Sequence, residues 1–192
     1  MKPGEFINAV SELYRVDEMT VVQHVRLLKR EGLLTKGARG NNAPDMTPMD
    51  AARITIALLA TDKPAHTVET VRKFSELSVN ANFYPAEGPE FGNDKKCNAV
   101  LEDILKEYFE FQSDRMINFE AIEINRAEMQ ATMIFESGRV MFDGSLEQHL
   151  SIYKAGGNGG LQTIGRLNAS ALQSLAIGIN RHKMFGEDMS QT

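Results

Sequence analysis

The fold of the N-terminal third is decided by one stretch, residues 10–34, which reads VSELYRVDEMTVVQHVRLLKREGLL. Asp17 is a good N-cap, because its carboxylate can accept a hydrogen bond from a free amide in the first turn of a helix. We therefore expect a helix over residues 18–31, after a tight turn. Gly32 can adopt the left-handed conformation that ends a helix. The stretch thus predicts two helices joined by a turn, the second of which stops at a glycine.

The second helix has one apolar stripe, formed by Val21, Val25 and Leu28 at positions i, i+4 and i+7. This spacing places the three side chains on one face of a helix. A matching stripe in the preceding segment consists of Phe6, Val10 and Leu13. We expect the two stripes to pack against each other.

The opposite face of this helix carries polar, cationic and apolar side chains: Met19, Val22, Gln23, Arg26 and Arg30, with Lys29 at its margin. A glutamine such as Gln23 can make paired hydrogen bonds to adenine, and an arginine such as Arg26 can do so to guanine. Lys29 and Arg30 suit phosphate contacts better. The face therefore predicts contact with double-stranded DNA, although the same residues also suit a solvated surface.

The pattern over residues 20–34 resembles the second half of a winged helix-turn-helix DNA-binding domain. Downstream, residues 36–44 stand where that family and the related MerR-type regulators carry the wing. The sequence Thr-Pro-Met-Asp at residues 47–50 opens a further helix, as the residues after the wing do in MerR-type proteins. The resemblance covers residues 4–62, a third of the chain, and it implies that the second helix enters a DNA groove.

Some positions depart from the pattern of these families. Arg15 stands at the turn position that often holds glycine, and Glu18 places a carboxylate at the groove-facing end. Met19 and Val22 occupy positions that often carry polar base readers, although they can touch a thymine methyl group. The aromatic wing tip usual in MerR-type proteins is missing. A two-helix corner that serves only as a scaffold is therefore an alternative.

Composition and charge narrow the class of protein. Of the 192 residues, 42% are hydrophobic and 24% are charged, which predicts a folded globular chain. No apolar run is long enough to span a bilayer and the N-terminus lacks an apolar signal core, so we expect a cytoplasmic protein. The single cysteine, Cys97, excludes an internal disulfide and a multi-cysteine zinc site. The net charge is −5, but residues 1–63 carry a net charge of +1, which is compatible with local DNA contact.

Beyond residue 63 the pattern predicts both helices and strands. We expect helices over 67–77 and 94–112, and antiparallel strands over 117–125, 128–136 and 139–142. The alternation of apolar residues shifts phase within the first strand, which predicts a bulge. The helix over 94–112 would cover this meander, and Asn168 or Ser170 would cap a final helix. The glycine-rich segment 155–160 lacks the lysine and hydroxyl of a P-loop, so we expect a connector.

The helix that begins at Thr47 and Pro48 is apolar on more than one face, so we expect it to lie either between the N-terminal corner and the rest of the chain or in a dimer interface. We predict an α+β fold with two parts. Residues 1–63 would form a winged helix-turn-helix DNA-binding domain. Residues 64–192 would form a helix-plus-meander domain for oligomerisation or for binding a regulator.

No catalytic or metal site is predicted. The four histidines, His24, His66, His149 and His182, do not stand at metal-ligand spacing from one another or from Cys97. The chain contains neither a G-x-S-x-G nucleophile elbow nor an H-E-x-x-H motif. We therefore expect no enzyme activity and no cofactor, and a structural role for His24.

These observations predict a sequence-specific transcriptional regulator, such as a repressor, that binds double-stranded DNA as a homodimer or higher homo-oligomer. Its organisation is similar to that of small regulators encoded by phages and other mobile elements. Gln23 and Arg26 would approach base edges. The phosphate contacts would come from Lys29, Arg30, Lys36 and Arg39. Two alternatives are a DNA-packaging accessory protein resembling a phage terminase small subunit, and a protein-interaction or inhibitor protein with the helix-turn-helix as scaffold.

Overall fold

The structure, a computed structural model, describes residues 1–38, 42–80, 99–110, 118–144 and 164–185. Within these ranges the chain forms six α-helices and a five-stranded antiparallel sheet, so the predicted α+β class is confirmed. The helices are α1 (Pro3–Tyr14), α2 (Glu18–Arg30), α3 (Pro48–Ala60), α4 (Thr67–Ser75), α5 (Leu101–Phe109) and α6 (Ala169–Phe185), with a short 3-10 turn at Pro64–His66. The strands are β1 (Ser78–Val79), β2 (Phe119–Asn125), β3 (Gln130–Phe135), β4 (Gly138–Asp143) and β5 (Ile164–Asn168), in the order β1-β4-β3-β2-β5.

Local signals set the ends of α1 and α2 as predicted. The Asp17 carboxylate accepts a hydrogen bond from the Thr20 amide at 3.1 Å, so Asp17 is the N-cap of α2. Arg15 ends α1 in the left-handed conformation, with φ 54° and ψ 43°. Gly32, with φ 78°, follows α2 and lets the chain turn back. Residues 15–17 therefore form the turn between the two helices.

The apolar stripes of α1 and α2 pack against each other, as predicted. The buried members are Phe6, Val10, Val21, Val25 and Leu28, and Leu13 packs half-buried against them. Burying several such side chains supplies the main free energy that holds α2 in place, at about 1.5–3 kcal/mol for each fully buried one.

The helix α3 is central to the fold, as its apolar pattern predicts. Thr47 caps it by accepting a hydrogen bond from the Asp50 amide, and Pro48 occupies its first turn. Nine of its 13 residues are buried, because α2, α4, α5, α6, β2 and β5 all contact it. One cluster of buried apolar side chains includes residues from α1 to α6. The division into domains at residue 63 stays a prediction.

The predicted three-stranded meander is confirmed as β2, β3 and β4, and β1 and β5 add one strand at each edge. The register shifts between Phe119 and Ala121 of β2, which lie opposite Phe135 and Ile134 of β3. This shift is the predicted bulge. It reconciles the two phases of apolar residues in β2, because Phe119 and Ile122 are both buried.

The helix predicted over 94–112 begins later than expected, at Leu101. Long-range hydrogen bonds explain the difference. The Val79 amide donates to the Ala99 carbonyl and the Leu101 amide donates to the Leu77 carbonyl, so the chain runs extended beside β1 before α5 begins.

The sheet is covered by different helices from the one predicted. The helices α3 and α6 both contact β2 and β5, whereas α5 packs mainly on α3 and α6. The ring of Tyr108 in α5 lies 5.1 Å from the ring of Phe119 in β2, so α5 contacts the sheet at this end of β2. The apolar pattern of α5 predicts a buried face, but it does not identify the partner of that face.

The strand β5 lies against the end of α3 at Gly165. A β-carbon at this position would lie 2.4 Å from the Leu59 carbonyl oxygen, so the close approach requires glycine. Arg126, in the turn between β2 and β3, donates to the same carbonyl at 2.9 Å. The sheet and α3 are thus joined at the Leu59 carbonyl, by a close backbone approach and by one side-chain hydrogen bond.

Some predicted features fall beyond the described residues. The glycine-rich segment 155–160 and Arg39 lie outside the described ranges.

The final helix, α6, begins at Ala169, directly after Asn168, which is one of the two predicted caps. Among the helices of the described ranges, none combines the length and the apolar character needed to cross a bilayer.

Candidate nucleic-acid interface

The helix α2 presents one exposed face on the side away from α1. The exposed side chains that follow one another along it are Met19, Gln23, Arg26 and Arg30. Steps of three or four residues place side chains in one row on a helix. Val22 and Lys29 lie half-buried at the margin of this row. The predicted outward face of α2 is therefore accessible in the folded chain.

Two of the predicted phosphate contacts lie at the end of α2. Lys29 is half-buried and Lys36 is exposed. The Lys36 ammonium donates to the Arg30 carbonyl at 2.9 Å, which satisfies one of the carbonyls left unpaired at the helix end. An ammonium carries three N–H donors, so Lys36 can also meet a phosphate.

The segment between α2 and α3, where the resemblance places the wing, is held by Asp50. This buried carboxylate accepts hydrogen bonds from the amide and the hydroxyl of Thr35, both at 2.7 Å. It also accepts from the amide of Thr47 at 2.7 Å and from its hydroxyl at 2.8 Å. Residues 33–38 and 42–47 form no strand, so the described part of the segment does not contain the β-hairpin of a wing.

A second cationic surface, which the sequence analysis missed, lies beside α2 on α4. Arg72 and Lys73 are exposed there. Arg72 Nη2 lies 3.8 Å from Glu31 Oε2, and Arg30 Nε lies 3.3 Å from Glu31 Oε1. One carboxylate thus lies between a cation of each helix. The sequence did contain a sign of this surface. Val71 is buried in α4, so the two residues after it, Arg72 and Lys73, point away from the core.

His24 lies on the buried side of α2, as predicted, and links α2 to α4. Its Nδ1 lies 2.6 Å from the hydroxyl oxygen of Thr67, and that hydroxyl donates to the Pro64 carbonyl at 2.8 Å. Its Nε2 is buried without a hydrogen-bond partner among the described residues. Burial lowers the pKa of His24 from its ordinary value, because a charged imidazole would lose its hydration. The neutral ring has a structural role here.

The exposed face of α2 offers positive charge and hydrogen-bond donors on an open surface. Met19, which is 60% exposed, adds an apolar contact at its N-terminal end. Such a face suits an extended anion or a protein surface rather than an enclosed small molecule. In the described part of the chain, no three His, Cys, Asp or Glu side chains are grouped as metal ligands.

Comparisons with known proteins provide no relative from which a function could be transferred. No protein-family model, curated protein or solved structure matches the chain significantly. The resemblance to winged helix-turn-helix proteins therefore rests on the residues of the N-terminal third, and a function has to follow from the geometry of α2 and its surroundings.

Proposed function

We propose that this protein binds double-stranded DNA through the exposed face of α2 and regulates transcription by occupying an operator. The observation that supports the proposal is the exposed row of Gln23, Arg26 and Arg30 on a helix whose opposite side is buried. An α-helix with its side chains is about 10–12 Å across, and the major groove of DNA is about 12 Å wide. A helix held in this way can therefore enter the groove without rearranging.

The side chains of the proposed interface divide by role. Gln23 would pair with adenine and Arg26 with guanine at base edges in the major groove. The phosphate contacts would come from Lys29, Arg30, Lys36 and Arg39. These contacts would set affinity and register, but they would not read sequence. A homodimer would double the footprint and would bind two half-sites separated by about one turn of DNA.

An apolar side chain on the same face favours a second candidate function, in which α2 binds another protein. Met19 is 60% exposed, and Val22 lies half-buried beside it. Flexible methionine side chains are common on surfaces that bind varied protein partners. Under this alternative the protein would not bind duplex DNA specifically.

The proposal is tested by measuring binding to DNA duplexes across a salt series, first to a random-sequence pool and then to fragments selected from it. We expect weak, salt-sensitive binding to the pool and tighter binding to selected fragments. The double variant Arg26→Ala/Arg30→Ala should lose both. The base contact of Arg26 alone should contribute about 1–3 kcal/mol to the difference in binding free energy between selected and random fragments.

The matched control is Lys106→Ala/Arg166→Ala, which removes two accessible, ion-paired cations from α5 and β5. This control changes the net charge by the same amount and should bind DNA like the wild type. Equal losses in both variants, or the absence of any tightly bound fragment, would contradict the proposal and favour the protein-binding alternative. The mass in solution distinguishes a transcriptional regulator from a DNA-packaging accessory protein. A dimer would support the first function, and a ring of more copies would support the second.

A further inference from the structure

A groove of about 420 Å³ lies between the exposed sides of α2, the 3-10 turn and α4. Leu27 of α2 faces Ala65 and Val68 across it. These three apolar side chains offer no hydrogen bond, so any polar recognition in the groove must come from the charged residues that also line it.

The charged lining of the groove contains more cations than carboxylates. Its cations are Arg30, Arg72 and Lys73, and their side chains are 70%, 58% and 51% exposed. Its carboxylates are Glu31, between the two arginines, and Glu69, which lies 2.6 Å from Lys73 Nζ. The groove thus has a net positive charge on a chain whose net charge is −5. An anion with several charges along its length complements this arrangement.

We infer that the phosphodiester backbone of double-stranded DNA runs along the α2–α4 groove, so that Arg72 and Lys73 of α4 contact phosphates next to those held by Arg30. This inference rests on the proposed function. A helix in the major groove is flanked by the two phosphate backbones, and residues beside such a helix commonly contact them. Arg30 belongs both to the exposed row of α2 and to the groove, so the two surfaces are continuous.

Glu31 has a defined part in this arrangement. Its carboxylate lies within 4 Å of both arginines in the free protein, at 3.3 Å from Arg30 and 3.8 Å from Arg72. A phosphate oxygen would replace this carboxylate as the partner of the guanidinium groups, and arginine suits phosphate because it can form two parallel hydrogen bonds. Glu31 therefore competes with DNA phosphates for the two arginines and lowers the affinity of the protein for DNA.

The test compares the full-length wild type with Arg72→Ala/Lys73→Ala on one selected duplex and one unrelated duplex, across a salt series. Both side chains are exposed, so the fold should be retained, and circular dichroism checks this. We expect the slope of log K against log salt to fall by about 1.8, at ~0.9 for each lost phosphate contact. The ratio of affinities for the two duplexes should stay unchanged, because phosphate contacts do not read sequence.

Two further variants make the outcome decisive. Lys106→Ala/Arg166→Ala, with the same change of net charge, should keep the wild-type slope. Glu31→Gln should bind both duplexes several-fold more tightly at low salt, since the competing carboxylate is gone. An unchanged slope in Arg72→Ala/Lys73→Ala, while Arg26→Ala/Arg30→Ala abolishes binding, would overturn this inference and leave the proposed function standing. Failure of the wild type to bind any duplex would instead overturn the proposed function, and this inference with it.

Discussion

Behind the exposed face of α2, the imidazole of His24 is completely buried and connects this helix to α4 through Thr67. The site suits a neutral ring, because one nitrogen meets the Thr67 hydroxyl and the other faces no hydrogen-bond partner among the described residues. Protonation would place a charge in a desolvated interior. The orientation of α2, and with it the positions of Gln23 and Arg26, therefore depends on a neutral His24.

The buried histidine predicts a loss of stability in mild acid. Because the pKa of His24 is lowered in the folded state, the unfolded chain binds the proton more readily. The stabilising contribution of the neutral ring is complete above the ordinary histidine pKa of about 6.5, and it is lost as the pH falls through the folded-state pKa. In urea unfolding at pH 7.5, 6.5 and 5.5, the free energy of unfolding of the wild type should decrease toward low pH. The decrease should be smaller in His24→Gln.

The control for this prediction is His66→Gln, because His66 is an exposed histidine on the neighbouring 3-10 turn. Because this substitution leaves His24 in place, the loss of stability in mild acid should persist in the variant. Identical pH profiles for His24→Gln and the wild type would show that the buried ring does not set the acid sensitivity.

At the scale of elements, Asp50 organises the region between α2 and α3. Its carboxylate closes a capping box with Thr47 at the start of α3 and also holds Thr35, just beyond the end of α2. A single buried acceptor therefore sets both the start of one helix and the path of the chain that leaves the other. Carboxylates are suited to this work, because two oxygens can accept several hydrogen bonds at once.

We predict that Asp50→Asn destabilises the fold by about 3 kcal/mol, because the amide nitrogen would face donors and leave them unsatisfied. Urea unfolding at pH 7.5 measures the change. Asp45→Asn is the matched control, since Asp45 is 50% exposed and its ion pairs within the described residues are with the Met1 amine and Lys2. This control should lose less than about 1 kcal/mol. Equal effects of the two substitutions would mean that the Asp50 hydrogen bonds do not organise the segment.

The elements that could be predicted from sequence are those set by neighbours along the chain. The caps at Asp17 and Thr47 and the stop at Gly32 depend on residues three or four positions away, and the phase shift in β2 reveals its own bulge. The start of α5 could not be predicted in this way. It depends on the pairing of residues 99–101 with β1, a strand far back along the chain. The periodicity of a helix carries no information about such a distant partner.

The same distinction applies to the candidate interface. The exposed row of Gln23, Arg26 and Arg30 follows from the helical period, because it lies opposite a recognisable buried stripe. The proximity of Arg72 to Glu31 depends on how α4 packs on α2, so the local sequence does not reveal it. A composite surface of this kind becomes visible only when the helices are placed in three dimensions.

At the scale of the whole molecule, the contact between Gly165 and Leu59 joins the edge of the sheet to the central helix. We predict that Gly165→Ala destabilises the fold by about 3 kcal/mol, the upper end of typical over-packing effects, because the added methyl group meets backbone that cannot easily move. Thermal unfolding followed by circular dichroism measures the shift.

Gly178→Ala is the natural comparison for this substitution. Among the described residues, the added β-carbon would meet the flexible end of the Met1 side chain, and alanine favours a helix over glycine by about 1 kcal/mol. We therefore expect a change of no more than about 1 kcal/mol in either direction. A Gly165→Ala variant as stable as the wild type would mean that β5 is not held so close to α3.

The position of α3 has a consequence for protein engineering. Since α2 covers part of this helix while α4, α5, α6 and two strands cover the rest, a chimera that carries only residues 1–63 would uncover most of its apolar surface. A large exposed apolar surface promotes aggregation. Transplanting the N-terminal third to another protein would therefore require a host that supplies a replacement lining for α3.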